Sequence, residues 1–396
     1  MKLVLTEKQK LGLELAIARY KSHKSYTCIA GLAGTGKSTL VKFIVAALDL
    51  NPEEDVAYVA FTGKAANVLS RKGNPNAITA HKLLYEAKPK PDGSFFFTKK
   101  FPFEKPYKLI VVDEVSMLPK HMWELLLDHH VHVLACGDPG QLPPLYPEDE
   151  NHVLDNPHIF LDEIMRQAEG SEIIQFSRHV REGKPTSNFQ AQAAQVQIFD
   201  KANLSIGMYN WADQIICATN NTRIAVNQAI RNNLGYSDSP QEGDKIITMR
   251  NHWDILSDKY SPLTNGATGY LKNIRYDKLW VPYYISNAKI PVIYADIETE
   301  YEGTFKDLTI DLTALLTGTK FLNPRQEYQM NQSKKCADAP IELAYGYAIT
   351  CHRAQGSEWD KVLVLEEKFP FDKDEHKRWL YTAATRASDK LVVINK

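Results

Sequence analysis

"GLAGTGKS", residues 31–38, fits the pattern G-x-x-x-x-G-K-[ST]. A short apolar run, Tyr26–Ala30, precedes it, and a helical pattern follows through Leu40, Phe43, Ile44, Ala47 and Leu48. A glycine-rich turn between strand and helix lets backbone N–H groups curl around phosphate oxygens, and the helix N-terminus adds its positive end. On this reading Gly34, Thr35, Gly36 and Thr39 belong to the phosphate cradle. Lys37 reaches the β- and γ-phosphates and Ser38 holds Mg²⁺. A plain strand-to-helix turn is the bland alternative, and the Lys37-Ser38 pair argues against it.

The second half of such a site stands at Leu109-Ile-Val-Val-Asp113-Glu114. An apolar strand there ends in two carboxylates at a sheet's carboxyl edge, where ligands bind. Asp113 would fix Mg²⁺ through water, and Glu114 would polarise an attacking water as general base. Alone the pair is weak, since acidic residues often begin the next helix. Downstream of a phosphate loop it implies an enzyme that hydrolyses ATP or GTP. Val56–Phe61, Leu109–Val112 and Val131–Cys136 are continuous apolar strands separated by helices, which predicts a parallel sheet covered on both faces.

The interval from Leu84 to Lys108 breaks this rhythm. It contains "PDGSFFFTKKFPF" (91–103), with an Asp92-Gly93 hairpin signal, and reads as a small insertion. A helix is expected from Ser171, as N-cap, to Glu182, with Gly183 just past its end. Gln214–Ala218 reads as a strand, followed by a helix from about Thr222 to Leu234. Residues 244–335 turn β-like, with Asn265-Gly266 as a hairpin turn. Alternation resumes near Ile341 with a helix, then a strand at Lys361–Leu365, a helix before Ser388 and a strand at Leu391–Ile394. The class is therefore α/β, with two motor-like halves that each carry an insertion.

The 396 residues predict at least two domains, and 44% apolar with 24% charged content excludes long disorder. A formal net charge of −1 means that any polyanion site must be a local basic cleft. Cysteines stand at 28, 136, 217, 336 and 351. Their odd number and the lack of a C-x-x-C pair argue against a disulfide framework or zinc site, and for a reducing compartment. The polar N-terminal residues do not read as a signal peptide, and no apolar run is long enough to span a membrane. A soluble, cytoplasmic protein is expected.

Seven strings occur in a telling order: TEKQ (6–9), AFTGKAANVL (60–69), TAHKLL (79–84), GDPGQLPP (137–144), LDEIMRQ (161–167), AYGYAITCHRAQGSEWDKV (344–362) and YTAATRA (381–387). With the phosphate loop and Asp113-Glu114 they resemble the superfamily 1 DNA helicases, specifically the 5′→3′ type that includes phage Dda-like enzymes and RecD relatives. The resemblance runs from Gln9 to about Arg386. Phe61 stands where that family usually has proline, and Arg353 where it more often has lysine.

The resemblance implies two RecA-like P-loop motor domains, the first at 1–84 and 109–160, the second at 161–243 and 339–396. It places a β-hairpin pin at 85–108 and an SH3-like β domain at 244–338. It implies that Gln9 reads adenine, although Thr6-x-x-Gln9 is also a capping box. Thr62, Lys64, His81, Thr350 and His352 would meet DNA, and Gln141 would sense the γ-phosphate. Arg166 and Arg386 would be arginine fingers. Gly356 and Glu358 would approach the nucleotide, Glu358 near the ribose. ATP and Mg²⁺ follow as cofactors. Single-stranded DNA and forked duplex DNA follow as partners, with a single-stranded-DNA-binding protein or replication proteins beside them. A monomer is expected, in the host cytoplasm if the source is a phage. In the pin, period 2 sets Phe95 and Phe97 on one face and Phe96 on the other, so one face packs on protein while a ring meets DNA. A 3′→5′ or RNA motor and a non-unwinding DNA-dependent ATPase remain open.

Overall fold

In the computed structural model, which describes residues 5–89, 95–143, 147–164, 170–259, 261–299, 302–333, 338–367 and 372–395, strand and helix alternate from the start. The order is α1 (Glu7–Lys21), β1 (Tyr26–Gly31), α2 (Lys37–Ala47), β2 (Val56–Ala60), α3 (Gly63–Arg71), β3 (Ile78–Thr79) and α4 (Ala80–Leu84). Then come β4 (Tyr85–Pro89), β5 (Phe95–Lys99), β6 (Leu109–Val112), α5 (Lys120–Asp128), β7 (His132–Gly137) and β8 (Ile159–Leu161). Six of these strands form one sheet in the order β3-β2-β6-β7-β1-β8. Every pairing in it is parallel.

Alternate residues of each strand serve opposite faces of this sheet. Cys28, Val59, Ile110, Val112, Val133 and Ala135 bury against Leu83 and Leu84 of α4 and Met122 and Leu126 of α5. Ile29, Tyr58, Val111 and Leu134 bury against Ala16 of α1 and Leu40, Val41 and Ile44 of α2. Two buried faces explain why the strands read as unbroken apolar runs.

Residues 171–218 supply α6 (Glu172–Arg181), β9 (Val196–Asp200), α7 (Ile206–Trp211) and β10 (Gln214–Cys217). Ser171 does occupy the N-cap of α6, but its side chain makes no capping bond. The N–H of Glu172 instead donates to Gln195 Oε1 at 2.9 Å, so a distant residue satisfies the helix end. Gly183 follows with φ +75°.

A second compact unit comprises Glu86–Thr98 and Thr219–Ile349. It holds α8 (Asn220–Asn233), β11 (Lys245–Thr248), β12 (His252–Leu256), β13 (Pro262–Leu263), β14 (Thr268–Trp280), β15 (Lys289–Thr299), β16 (Thr304–Asp311), α9 (Leu312–Thr317), α10 (Pro324–Gln332) and β17 (Leu343–Tyr345). Five strands pair as an antiparallel sheet, β16-β15-β14-β11-β17. Ile246, Leu271, Ile293, Ile297, Phe305 and Ile310 form its core. Within this unit Arg231 and Asp244, both fully buried, pair at 2.8 Å. A second bond to Asp244 and one to the Ser239 carbonyl leave the guanidinium well satisfied, as a buried charge requires.

Two expectations are corrected in this unit. No helix forms near Ile341. Ile341 bridges to Ile310, and β17 pairs with β11. Ile341, Leu343 and Tyr345 alternate into the core with period 2, which is a strand's pattern. Asn265-Gly266 is a turn, with Gly266 at φ +83°. However, it joins β13, whose partner is β12, to β14, whose partners are β11 and β15, so it closes no hairpin.

β4 and β5 pair as a two-stranded sheet. Residues 86–98 group with the β-rich segment in the same compact unit. The Asp92-Gly93 turn and the side chains of Phe95, Phe96 and Phe97 lie outside the described residues. From β18 (Ala348–Thr350) the chain continues through α11 (Cys351–Ala354), β19 (Trp359–Leu365), α12 (Lys373–Ala384) and β20 (Ala387–Asn395). In the first unit β10, β19, β20 and β9 lie side by side in that order, all parallel. Among the described residues no helix is long and apolar enough to cross a membrane. Cys28, Cys136, Cys217 and Cys351 are buried free thiols, and Cys336 lies outside the described residues.

Candidate nucleotide site and nucleic-acid surface

The loop from β1 to α2 has little room for anything but its own sequence. A Cβ on Gly31 would stand 2.8 Å from Thr35 Oγ1 and 2.9 Å from Leu161 Cβ. Gly34 and Gly36 sit at φ +77° and +76°, which glycine adopts without steric penalty. Gly36 is the N-cap of α2, so the open helix end begins at Lys37, Ser38 and Thr39. The Lys37 ammonium donates to the carbonyls of Gly31 at 2.7 Å and Leu32 at 3.1 Å. Thr35 Oγ1 donates to Leu32 O at 2.8 Å. Gln9 braces the loop from α1. Its Nε2 donates to Thr35 O at 2.9 Å, and its Oε1 accepts from Thr6 N–H at 3.0 Å. Thr6 Oγ1 accepts in return from Gln9 N–H, so the capping box is complete and both amide atoms of Gln9 are engaged.

Asp113 and Glu114 follow β6 at the carboxyl edge of the sheet. The surrounding protein desolvates the Asp113 carboxyl and pushes its pKa up to about 6, and the charge of Glu114 adds to the rise while Lys37 opposes it. Glu114 adopts φ +49°, a strained backbone for a non-glycine residue, of the kind that collects at functional sites. Its N–H donates to Asp113 Oδ1 at 3.1 Å, and its Oε1 accepts from Gln141 Nε2 at 3.2 Å. Glu114 Oε2 is buried without a hydrogen-bond partner. The orphaned Glu114 Oε2, beside an Asp113 carboxyl whose charge Lys37 favours, is the kind of hard oxygen donor that Mg²⁺ takes, so these residues fit the ion.

The second parallel sheet reaches the same loop through α12. Tyr381 Oη accepts from the Ala33 N–H at 2.9 Å and donates to Asp138 Oδ2 at 2.5 Å. Asp138 Oδ1 also accepts from Gly140 N–H at 2.9 Å. Burial raises the pKa of both the Asp138 carboxyl and the Tyr381 phenol. The next residue, Thr382, accepts through Oγ1 from Leu142 N–H at 2.8 Å, and Gln355 Nε2 donates to Leu142 O at 2.8 Å. Tyr381, Thr382, Asp138 and Gln355 were not singled out from the sequence. All four lie inside the quoted strings, but only the fold pairs strings more than 200 residues apart.

Arg386 is 5% exposed. It donates to Thr382 O at 3.1 Å, Ser357 O at 3.2 Å and Thr385 Oγ1 at 3.1 Å. Arg166 lies outside the described residues. Glu358 is paired with Lys72 at 2.8 Å, both groups well exposed. Gly356, at φ +70°, comes so close to α3 that a Cβ there would meet Ala65 Cβ at 2.8 Å.

The residues implied to meet DNA have local roles as well. Thr62 caps α3, its hydroxyl accepting from Ala65 N–H at 3.2 Å. The Lys64 ammonium sits 4.2 Å from the centre of the Trp359 ring, a cation–π contact. His81 lies between Phe61 at 5.8 Å and Tyr85 at 6.1 Å, so the phenylalanine that replaces proline packs on the histidine. Burial lowers the pKa of His81, helped by His121, and burial also lowers that of His352 in α11. Thr350 is the N-cap of α11 but makes no side-chain cap bond.

Comparison with known proteins now has a geometry to explain. A model of the AAA domain matches residues 5–201, and one of the UvrD-like helicase C-terminal domain matches residues 345–394. The ATP-dependent DNA helicase Dda of Enterobacteria phage T4 is 31% identical over 196 residues, covering 46% of this chain and 43% of that protein. The ATP-dependent RecD2 DNA helicase of Deinococcus radiodurans is 27% identical over 398 aligned positions, covering 91% of this chain and 46% of that protein. The chain resembles the superfamily 1 helicases of the Dda and RecD-like type. A crystal structure of Bacteroides Pif1 bound to single-stranded DNA superposes with TM-score 0.55 at 18% identity, covering 99% of this chain and 92% of that one, and so shares the fold. The chain spans less than half the length of the two sequence relatives. The AAA match contains the phosphate loop, Asp113-Glu114 and Gln141. The helicase C-terminal match contains Thr350, Gln355 and Arg386.

Proposed function

We propose that this chain is an ATP-dependent DNA helicase that translocates 5′→3′ on single-stranded DNA and unwinds duplex. The hydrogen-bond chain from Ala33 through Tyr381 to Asp138 carries the reading, because whatever binds the phosphate loop acts on both parallel sheets at once. Phosphate oxygens would draw the loop N–H groups and the Lys37 ammonium away from their present partners. Ser38 and Asp113 would hold Mg²⁺, which when bound neutralises charge on the phosphate oxygens. Glu114, with its orphan Oε2, orients and deprotonates the attacking water. Gln141 couples Glu114 to the segment held by Thr382 and Gln355. Arg386, once off its carbonyls, and Arg166 would stabilise the charge of the transition state.

Thr62, Lys64, His81, Thr350 and His352 line the proposed DNA track, on which phosphates are gripped and bases stacked. Gln9 on adenine and Glu358 near the ribose belong to the same reading, as do the pin at 85–108 and an SH3-like domain at 244–338. Forked DNA and a monomeric state complete it. The named relatives are ATP-dependent DNA helicases, and the proposed polarity rests on the resemblance of the sequence strings to the 5′→3′ type. Duplexes with a 5′ or a 3′ single-stranded tail test it. The 5′-tailed substrate should be unwound with ATP and the 3′-tailed one should not, and Lys37→Ala should unwind neither. Equal unwinding of both tails, or of the 3′ tail alone, would overturn the polarity, and full activity of Lys37→Ala would overturn the phosphate site.

A further inference from the structure

Arg181 is the last residue of α6, and Ile173, Ser177 and Arg181 recur at i, i+4, i+8 on one face. The first two are buried. That face carries part of the guanidinium inward, whereas the more exposed Arg178 is already paired with Glu182. Arg181 Nη1 is buried and has no hydrogen-bond partner. Its surroundings are the Phe160 ring at 5.8 Å and the backbone of Gly140, where a Cβ would stand 3.2 Å from Nη1. The nearby Asp138 carboxylate is already committed to Tyr381 and Gly140. A guanidinium has five donors and stays charged, so a buried unpaired nitrogen there is costly unless something arrives to use it.

A cavity of about 190 Å³ lies beside it, with Leu32 and Ala33 on one side and Arg178, Arg181 and Tyr381 among its other walls. Asp162 also lines it, its carboxylate neutralised by Lys8 at 2.5 Å. Leu32 and Ala33 belong to the phosphate loop. The Lys37 ammonium, which in such loops reaches the β- and γ-phosphates, rests on the Leu32 carbonyl at 3.1 Å. The cavity therefore adjoins the end of the loop where the terminal phosphate belongs, and of the two arginines that line it Arg178 is paired with Glu182 whereas Arg181 has the unpartnered nitrogen. The neighbouring Ala33 N–H is presently held by Tyr381.

We propose that Arg181 is a γ-phosphate ligand, a cation distinct from Arg166 and Arg386 that binds a nucleoside triphosphate but not the diphosphate. It rests on the reading of the phosphate loop as an ATP site. Its position on α6, a helix of the second α/β half, ties that helix to the loop only while the third phosphate is present.

Calorimetric titration of the full chain with ADP and with the non-hydrolysable β,γ-imido analogue of ATP, both with Mg²⁺, tests it. Arg181→Ala should weaken the imido analogue roughly tenfold or more, the worth of one charge-assisted hydrogen bond, and leave ADP within about twofold. Arg181→Lys should fall between, because it keeps the charge without the fork. Undiminished ADP binding also reports that each variant is folded. Equal weakening of both ligands, or of neither, would overturn the proposal and leave Arg181 a strut against Phe160. Failure of the unsubstituted chain to bind either ligand would instead overturn the ATP-site reading beneath it.

Discussion

Asp113, the proposed Mg²⁺ ligand, carries a cost in the free protein. Its folded pKa is raised to about 6 by burial and by Glu114, against roughly 3.9 in an unfolded chain. A raised acid favours its protonated form, so its contribution to stability is complete below about pH 4 and is lost as pH climbs through 6. The ionised form costs the metal-free fold on the order of 3 kcal/mol. Asp113→Asn should therefore be more resistant to urea than the unsubstituted chain at pH 7.5 without metal, with the gap closing toward pH 4.5. A gap that does not change with pH would contradict this. The same substitution should abolish ATP hydrolysis. The placing of Asp113-Glu114 at the carboxyl end of a strand was readable because two acids after an apolar run are a local pattern. Tyr381 and Arg181 were not readable, since a tyrosine or an arginine acquires its role from what lies opposite.

Among the elements, α1 and α6 form an instructive pair. The capping box of Thr6 and Gln9 is read correctly from four residues because both of its bonds are local. The cap expected of Ser171 is displaced by Gln195, a partner from a later segment, while the Glu172 carboxylate accepts N–H bonds from Gln192, Ala193, Gln195 and Val196. Near Ile341 a missed period-2 pattern cost a strand. The β4–β5 ladder carries Phe95, Phe96 and Phe97, and its proposed role as a pin is tested at this scale. Separating a base step costs about 1.4 kcal/mol on average, and stacking a ring on a base returns roughly 1–3 kcal/mol. Replacing all three phenylalanines by alanine should impair strand separation while DNA-stimulated ATP hydrolysis persists. Equal loss of both activities in paired assays would make the rings ordinary core.

For the whole molecule, a net charge of −1 leaves no global attraction to a polyanion. The proposed binding to single-stranded DNA would then come from a few cations placed along one track, Lys64 among them. Affinity should fall with salt by roughly 0.7 in log K per log salt for each phosphate neutralised. Fluorescence anisotropy across a salt series would show this, and a flat dependence would exclude a phosphate-lined groove. The sequence by itself determined the α/β class, the phosphate loop and the order of the helicase-like strings, because each rests on residues adjacent along the chain. Only the tertiary structure decided which strings meet. The contacts of Ala33 with Tyr381 and of Leu142 with Thr382 span more than 200 residues, and no local periodicity encodes a hydrogen bond between strands of chain so far apart.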